Sequence, residues 1–239
     1  MNSTPGNARF ATTRWTLVQR AAEDSDESSR ALSELCQLYW FPLYAFVRRR
    51  GVDRSEAEDI TQSFFQRLLE RNDVAGADPD RGRFRSYLMA SMTNYLSNWR
   101  RDEHALKRGG GCVHLSIDFD DGERRLQLAG SSRSAESEFE RRWAMALLER
   151  AIERLRDECA AADRLQWFEH LKPHLGGGRG APYAELAEQL DTTVGALKAA
   201  AHRFRRRCRE LVREEIAHTV DDGSEVDDEI QHFFSVLES

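Results

Sequence analysis

Long hydrophobic segments are missing from this chain of 239 residues. It contains no run of the roughly eighteen apolar residues that a transmembrane helix needs. The N-terminal sequence MNSTPGNARF also lacks the charged-then-apolar layout of a signal peptide. We therefore expect a cytoplasmic protein that does not act at a membrane.

Cysteines are few and scattered. The four cysteines form no C-x-x-C pair and no short disulfide spacing, which predicts reduced thiols packed in helices; they are Cys36, Cys112, Cys159 and Cys208. His170 and His174 have the spacing of two metal ligands, but Pro173 interrupts that turn and no third ligand lies nearby in the sequence. We predict neither a metal nor another cofactor.

Recognisable catalytic patterns are also missing. The sequence shows no nucleophile elbow, no pair of catalytic carboxylates and no metal-ligand cluster. The triglycine at 176–178 follows no predicted strand and precedes no Gly-Lys-Ser/Thr, so we interpret it as a connector rather than a phosphate-binding loop. An enzyme acting on nucleic acid is thus an unsupported alternative, and we predict that the chain is not an enzyme.

What the sequence does contain is helical periodicity. Its 40% hydrophobic and 32% charged residues are typical of a soluble, helix-rich protein with enough apolar material for two modest cores. We predict an all-α fold with two small helical domains, at residues 13–108 and 135–218. A flexible glycine- and serine-rich linker at 109–134 joins them, and an acidic extension follows at 219–239.

Local signals place several helix ends. A helix over residues 29–50 should bend at Pro42 and end at Gly51, which can adopt the left-handed cap conformation. The next helix, over residues 55–72, should begin at a capping box formed by Ser55 and Glu58.

A helix-turn-helix pattern lies near the end of the chain. A short helix over residues 183–190 is followed by a turn at residues 191–193 and a second helix to residue 216. Apolar residues at steps of four and three form one buried stripe: Leu197, Ala201, Phe204, Cys208 and Leu211. The cations lie off that stripe and indicate a phosphate-binding surface: Lys198, Arg203, Arg205, Arg206, Arg207, Arg209 and Arg213.

A second basic segment begins near residue 83. Positive charge flanks a predicted helix at both ends, in Arg83, Arg85, Arg100, Arg101, Lys107 and Arg108. Between them, Asn94, Asn98 and Trp99 could engage unstacked bases while the cations hold the backbone. The alternative is that the aromatic residues of this helix belong to the core, and for Trp99 the sequence leaves both interpretations open.

The helix over residues 55–72 has a polar but weakly cationic face. Asp59, Gln62, Ser63 and Gln66 form it, and such a face suits a protein partner better than DNA. The default alternative is a face that is simply solvated.

These segments together resemble the extracytoplasmic-function group of bacterial RNA polymerase sigma factors, of the type found in planctomycete-like bacteria. AEDITQSFFQRLLE is similar to the region-two helix that binds the β′ clamp helices, with Asp59 and Gln62 in its Asp-x-x-Gln pattern. RGRFRSYLMASMTNYLSNWRR is similar to the helix for the −10 element, with Asn94 and Asn98 at its polar positions, and the loop at residues 73–82 corresponds to the one that receives a flipped base.

The second half carries the rest of the resemblance. YAELAEQLDTTVGALKAAAHRFRRR resembles the region-four motif that reads the −35 element, which implies DNA contacts by Thr193, Lys198, Ala199, His202 and Arg203. The resemblance implies a sigma factor that directs polymerase to promoters and aids melting. Its partners would be promoter DNA and the polymerase core, through the β′ clamp helices and the β flap, and an anti-sigma factor is left open.

Two further points stay open. The segment beyond residue 219 is rich in aspartate and glutamate, lacks lysine and arginine, and can either fold back on a cationic helix or meet a partner. A helix-turn-helix regulator that binds DNA without polymerase is the main alternative function.

Overall fold

The computed structural model describes residues 26–70, 83–102, 117–128, 133–176, 180–220 and 225–238. Across these residues the regular structure is entirely helical, which confirms the predicted all-α class. The helices are α1 (Asp26–Arg49), α2 (Arg54–Glu70), α3 (Phe84–Asp102), α4 (Phe119–Gln127), α5 (Ala135–Ala161), α6 (Leu165–Leu171), α7 (Tyr183–Gln189), α8 (Val194–Ala217) and α9 (Val226–Glu238). A 3₁₀ turn at Lys172–His174 follows α6.

The chain divides into two compact units. Unit 1 comprises Met1–Ala144 with Ala217–Ser239, and unit 2 comprises Met145–Ile216. The division therefore falls inside α5, and it groups the acidic extension with the first unit. None of the helices that the structure describes could span a membrane.

Unit 1 is built around α1. Residues 43–47 of this helix are completely buried, and α1 packs against α2 and α4. Pro42 lies inside the helix, and Gly51 has φ +82, so the predicted left-handed end is confirmed. Edge-to-face packing of Tyr39 on Phe84, with ring centroids 5.5 Å apart, connects α1 to α3.

The start of α2 differs from the prediction. The Asp53 carboxylate accepts a hydrogen bond from the Glu56 amide at 3.0 Å, and the helix begins at Arg54. Ser55 is thus already inside the first turn, and the predicted capping box is wrong. Aspartate at this position caps as well as serine does, so the two starts could not be separated by residue type alone.

The predicted linker contains a helix that the sequence analysis did not find. Asp118 caps α4 by accepting a hydrogen bond from the Asp121 amide at 2.9 Å. Phe119 packs on Tyr44, with ring centroids 5.2 Å apart, and a Cβ on Gly122 would lie 3.1 Å from Trp40 Cζ3. Residues 119–127 are therefore docked on α1 and are not a loose tether.

A partly buried ion pair also holds α4 in place. Glu123 accepts hydrogen bonds from the Tyr44 hydroxyl at 2.6 Å and from Arg48 Nε at 2.5 Å. The Arg48 hydrogen bond, opposed by burial, holds the pKa of the Glu123 carboxyl below its usual value.

Unit 2 contains α6, α7 and most of α5 and α8. Its core includes Leu155, Phe168 and Leu186, and Phe168 packs on Phe204 with ring centroids 5.9 Å apart. Ion pairs join α5 to α8, with Arg154 Nη1 at 3.0 Å from Glu215. Cys36, Cys159 and Cys208 are free thiols, as predicted, and burial raises the pKa of Cys36 to about 12.

Candidate nucleic-acid interface

The helix-turn-helix of unit 2 has the predicted geometry. After α7, Asp191 takes φ +46, and the Ala196 amide donates to the Thr193 hydroxyl at 3.2 Å, so Thr193 caps α8. The five stripe residues predicted from Leu197 to Leu211 are all buried. Their burial shows which side of α8 faces the interior of unit 2. The other side is accessible to a binding partner.

The opposite side of α8 presents the predicted contact residues. Thr193, Lys198, Ala199, His202, Arg203 and Arg206 are exposed, and Arg205 is half-buried, with Nη1 at 3.3 Å from the Tyr183 hydroxyl. A cationic surface at the start of an exposed helix can meet phosphates and the base edges of a major groove. Their DNA contacts remain predictions.

Arg207 of the basic run is held by several acidic side chains of unit 2. Arg207 forms ion pairs with Glu158 at 2.7 Å, Glu214 at 3.0 Å and Glu210 at 3.2 Å. The hydrogen bond from Arg207 lowers the pKa of the Glu158 carboxyl. This cation joins α8 to α5 and is less available to DNA than its neighbours.

A groove of about 500 Å³ lies between α5, α6 and α8 in unit 2. Its walls include apolar Leu155, Leu171 and Phe204, and the side chains of Arg164 and Arg203 also line it. Such a surface suits an apolar protein segment that carries acidic residues.

A smaller cavity of about 180 Å³ lies between α2 and α3 in unit 1. Asn94 and Asn98, both predicted from sequence, line it together with Phe64, Arg67, Leu68, Tyr87, Ser91 and Tyr95. Aromatic rings beside amides can stack on an unpaired base and hydrogen-bond its edge.

The sequence analysis missed part of this cavity. Tyr87 and Ser91 precede Asn94 and Asn98 at steps of four, three and four, so all four share one side of α3. That spacing is present in the sequence, but the sequence analysis identified only Asn94 and Asn98 on this side of α3. Arg67 comes from α2, with its guanidinium carbon 5.8 Å from the centre of the Tyr95 ring, and only the packing of the two helices could reveal it.

Trp99 lies at the end of an aromatic row on α3. Its ring centroid is 6.0 Å from that of Tyr95, and its indole N–H donates to Glu56 Oε1 at 3.1 Å. The ring is half-buried, so it serves the packing of α3 on α2 and also retains an exposed part. Burial raises the pKa of the neighbouring Tyr95 hydroxyl.

The predicted cations of α3 are not equivalent. Arg85 is only 4% exposed, and its guanidinium lies 4.4 Å from the centre of the Trp143 ring and pairs with Glu140 and Glu229. Arg83 pairs with Glu229 at 2.9 Å, whereas Arg100 is exposed. The structure therefore contradicts the prediction that Arg85 lies on a DNA-binding surface. Arg85 could reach DNA only if its ion pairs with Glu140 and Glu229 were broken.

The remaining predicted cations cannot be placed. The side chain of Arg101, and Lys107 and Arg108 altogether, lie outside the described residues, as do Cys112 and the predicted flipped-base loop at 73–82.

The predicted partner face of α2 is present on the surface. Asp59 and Gln62 are exposed, and Ser63 and Gln66 are half-buried. Within the described residues, no group of three or more histidine, cysteine or acidic side chains is arranged to hold a metal ion.

Part of the chain matches a known protein family. Residues 41–105 match the family model for sigma-70 region 2. The matched segment includes α2, α3 and the cavity between them. No curated protein and no solved structure matches the chain.

Proposed function

We propose, on the premise that residues 41–105 form a sigma-70 region 2 domain, that this protein is a sigma factor of the extracytoplasmic-function group. It would work in the cytoplasm, bind the polymerase core and direct it to promoters with −35 and −10 elements. The match to region 2 is the single observation that carries this proposal. The chain itself would perform no catalysis.

In the proposed mechanism, unit 1 attaches to polymerase and captures the melted strand. Asp59 and Gln62 on the exposed face of α2 would contact the β′ clamp helices. Bases leaving the duplex would enter the cavity beside Asn94 and Asn98, where stacking and hydrogen bonds offset part of the cost of unpairing.

Unit 2 would supply the second DNA contact. Lys198, Arg203 and Arg206 would meet phosphates and base edges of the −35 element from α8. The apolar groove lined by Leu155, Leu171 and Phe204 would accept the β flap. We retain residues 13–108 and 135–218 as the proposed region 2-like and region 4-like domains.

The attachment to polymerase can be tested with a matched pair of variants. Asp59→Ala with Gln62→Ala should weaken binding to purified core polymerase about tenfold or more. The reason is that charged and amide contacts at an interface commonly contribute about 1–3 kcal/mol. Asp228→Ala with Gln231→Ala removes the same pair at the same spacing from an exposed side of α9 and should leave binding unchanged. Equal binding of core polymerase by both double variants would show that this face of α2 does not contact polymerase.

The main alternative is a helix-turn-helix regulator that acts without polymerase. The exposed basic side of α8 would serve either protein, so the free chain and the chain with core polymerase should be compared on the same promoter DNA. A sequence-specific shift by the free chain that polymerase does not change would favour the regulator.

A further inference from the structure

The C-terminal helix α9 lies against the two arginines at the start of α3. Glu229 of α9 is completely buried and forms ion pairs with Arg83, at 2.9 Å, and with Arg85. Both arginines were predicted from sequence to contact DNA. The acidic extension thus folds back on the basic end of α3.

Other contacts hold α9 in this position. Phe233 is buried, Arg141 donates to the Leu237 carbonyl at 3.1 Å, and His232 Nε2 lies 2.9 Å from Glu140. Glu140 also accepts a hydrogen bond from Arg85 at 2.9 Å. One network therefore connects α9, α5 and α3 within unit 1.

The same guanidinium groups cannot serve Glu229 and a phosphate together. Carboxylate and phosphate oxygens take the same N–H donors of arginine in similar geometry, so a phosphate and Glu229 compete for them. While α9 is docked, Arg85 is nearly inaccessible to any ligand.

The docking of α9 is suited to opening. The helix has only 13 residues and buries only Val226, Glu229 and Phe233, while Phe234 remains 46% exposed. A helix of this length is marginal on its own, and the desolvation cost of a buried ion pair offsets much of its Coulomb attraction. A competing anion therefore has a small free-energy difference to overcome.

We propose that α9 is an autoinhibitory helix, whose Glu229 holds Arg83 and Arg85 in ion pairs. When α9 is released, Arg83 loses this partner and Arg85, among the described residues, keeps only Glu140, so DNA phosphates can compete for both side chains. This inference rests on the proposed function, since it takes the start of α3 as a DNA-binding surface. It assigns the acidic extension to intramolecular control of DNA binding.

The direct test compares two charge-matched variants of the full-length chain. Glu229→Gln and Asp228→Asn each remove one negative charge from adjacent positions of α9, but only Glu229 pairs with the arginines, and Asp228 is exposed. Binding to a labelled DNA duplex is measured by fluorescence anisotropy over a range of salt concentrations.

Glu229→Gln should bind at least about fivefold more tightly than the wild type. Its log affinity should also fall more steeply with log salt, by up to about 1.8 for two added phosphate contacts. Asp228→Asn should stay close to the wild type. Equal affinity and slope for the two variants would overturn the proposal.

A second measurement needs no substitution, and it tests the autoinhibition by α9 even if Glu229→Gln folds poorly. Amide hydrogen exchange of α9 in the wild-type chain should become faster when saturating DNA is added, with α1 as the reference. Unchanged or slower exchange of α9 would overturn the proposal.

Failure of the inference and failure of the proposed function give different results. A chain that binds core polymerase and starts transcription, but whose α9 exchange is insensitive to DNA, keeps the function and loses autoinhibition. A chain that never binds polymerase, but whose Glu229→Gln variant gains DNA affinity, keeps the autoinhibition by α9 and loses the sigma-factor function.

Discussion

Lys198 illustrates how the position of one residue on a helix determines its role. Lys198 directly follows Leu197, which is buried. Lys198 is nevertheless exposed, because successive side chains of a helix point about 100° apart. Arg207 belongs to the same basic run, but its guanidinium forms an ion pair with Glu158 inside unit 2. The number of arginines in the run therefore overstates the number available to DNA.

For Lys198 we predict a loss that depends on salt. Lys198→Ala should weaken promoter binding by the polymerase complex and lower the slope of log affinity against log salt by about 0.9, the loss of one phosphate contact. Arg156→Ala removes one exposed cation from α5 in the same unit and should leave the slope unchanged. If both substitutions lower the slope equally, Lys198 acts only through the overall charge.

Arg85 shows where prediction at the residue scale stops. The spacing of α3 places Phe84 and Leu88 in the core, and both are buried as expected. Arg85 is also buried, because Glu140 and Glu229 come from helices that begin 50 or more residues later. A pattern local to α3 contains no information about these partners.

Among the helices, those with a strong apolar period were predictable and α4 was not. The sequence of α4, FDDGERRLQ, is short and places Gly122 and Glu123 beside Phe119 on its buried side, where apolar residues would be expected. Its helical structure depends on Phe119 and Glu123 meeting α1, and on the close approach that Gly122 permits. The Asp118 cap was a local signal that could have located it.

The docking of α4 should depend on pH. Because the folded-state pKa of Glu123 is depressed, its contribution to stability is present above the unfolded-state value near 4.5 and is lost as pH falls through the lower folded-state value. Glu123→Gln should reduce the free energy of unfolding at neutral pH by about 1–3 kcal/mol and flatten its decline in acid.

Thermal denaturation of the wild type and Glu123→Gln between neutral and acidic pH checks this prediction. Glu153→Gln is a suitable comparison, because it removes an exposed carboxylate from α5. A pH dependence in the Glu123→Gln variant as steep as that of the wild type would show that the pair with Arg48 does not stabilise α4.

At the scale of the whole molecule, charge is distributed unevenly. The chain has a formal net charge of −6, with 41 acidic and 35 basic residues, yet cations concentrate along the exposed side of α8. Net negative charge opposes association with DNA, which is itself anionic. We therefore expect the free chain to bind DNA weakly and to depend on polymerase for promoter binding.

The two-part organisation was only partly predictable. The helix-turn-helix follows from periodicity and capping and the α2–α3 pair follows from periodicity, all of which act within a few residues. The assignment of residues 135–144 and of α9 to unit 1 depends on contacts such as Glu229 with Arg83, across more than 140 residues of sequence. Such pairings are fixed by tertiary packing, so neither the acidic composition nor the glycine-rich linker predicted them.

The most direct measurement of the sigma-factor assignment is to map transcription start sites on genomic DNA with purified core polymerase, with and without this chain. The account predicts discrete start sites that require the chain, each preceded by the same pair of −35 and −10 sequences. Start sites identical to those of core polymerase alone would contradict it.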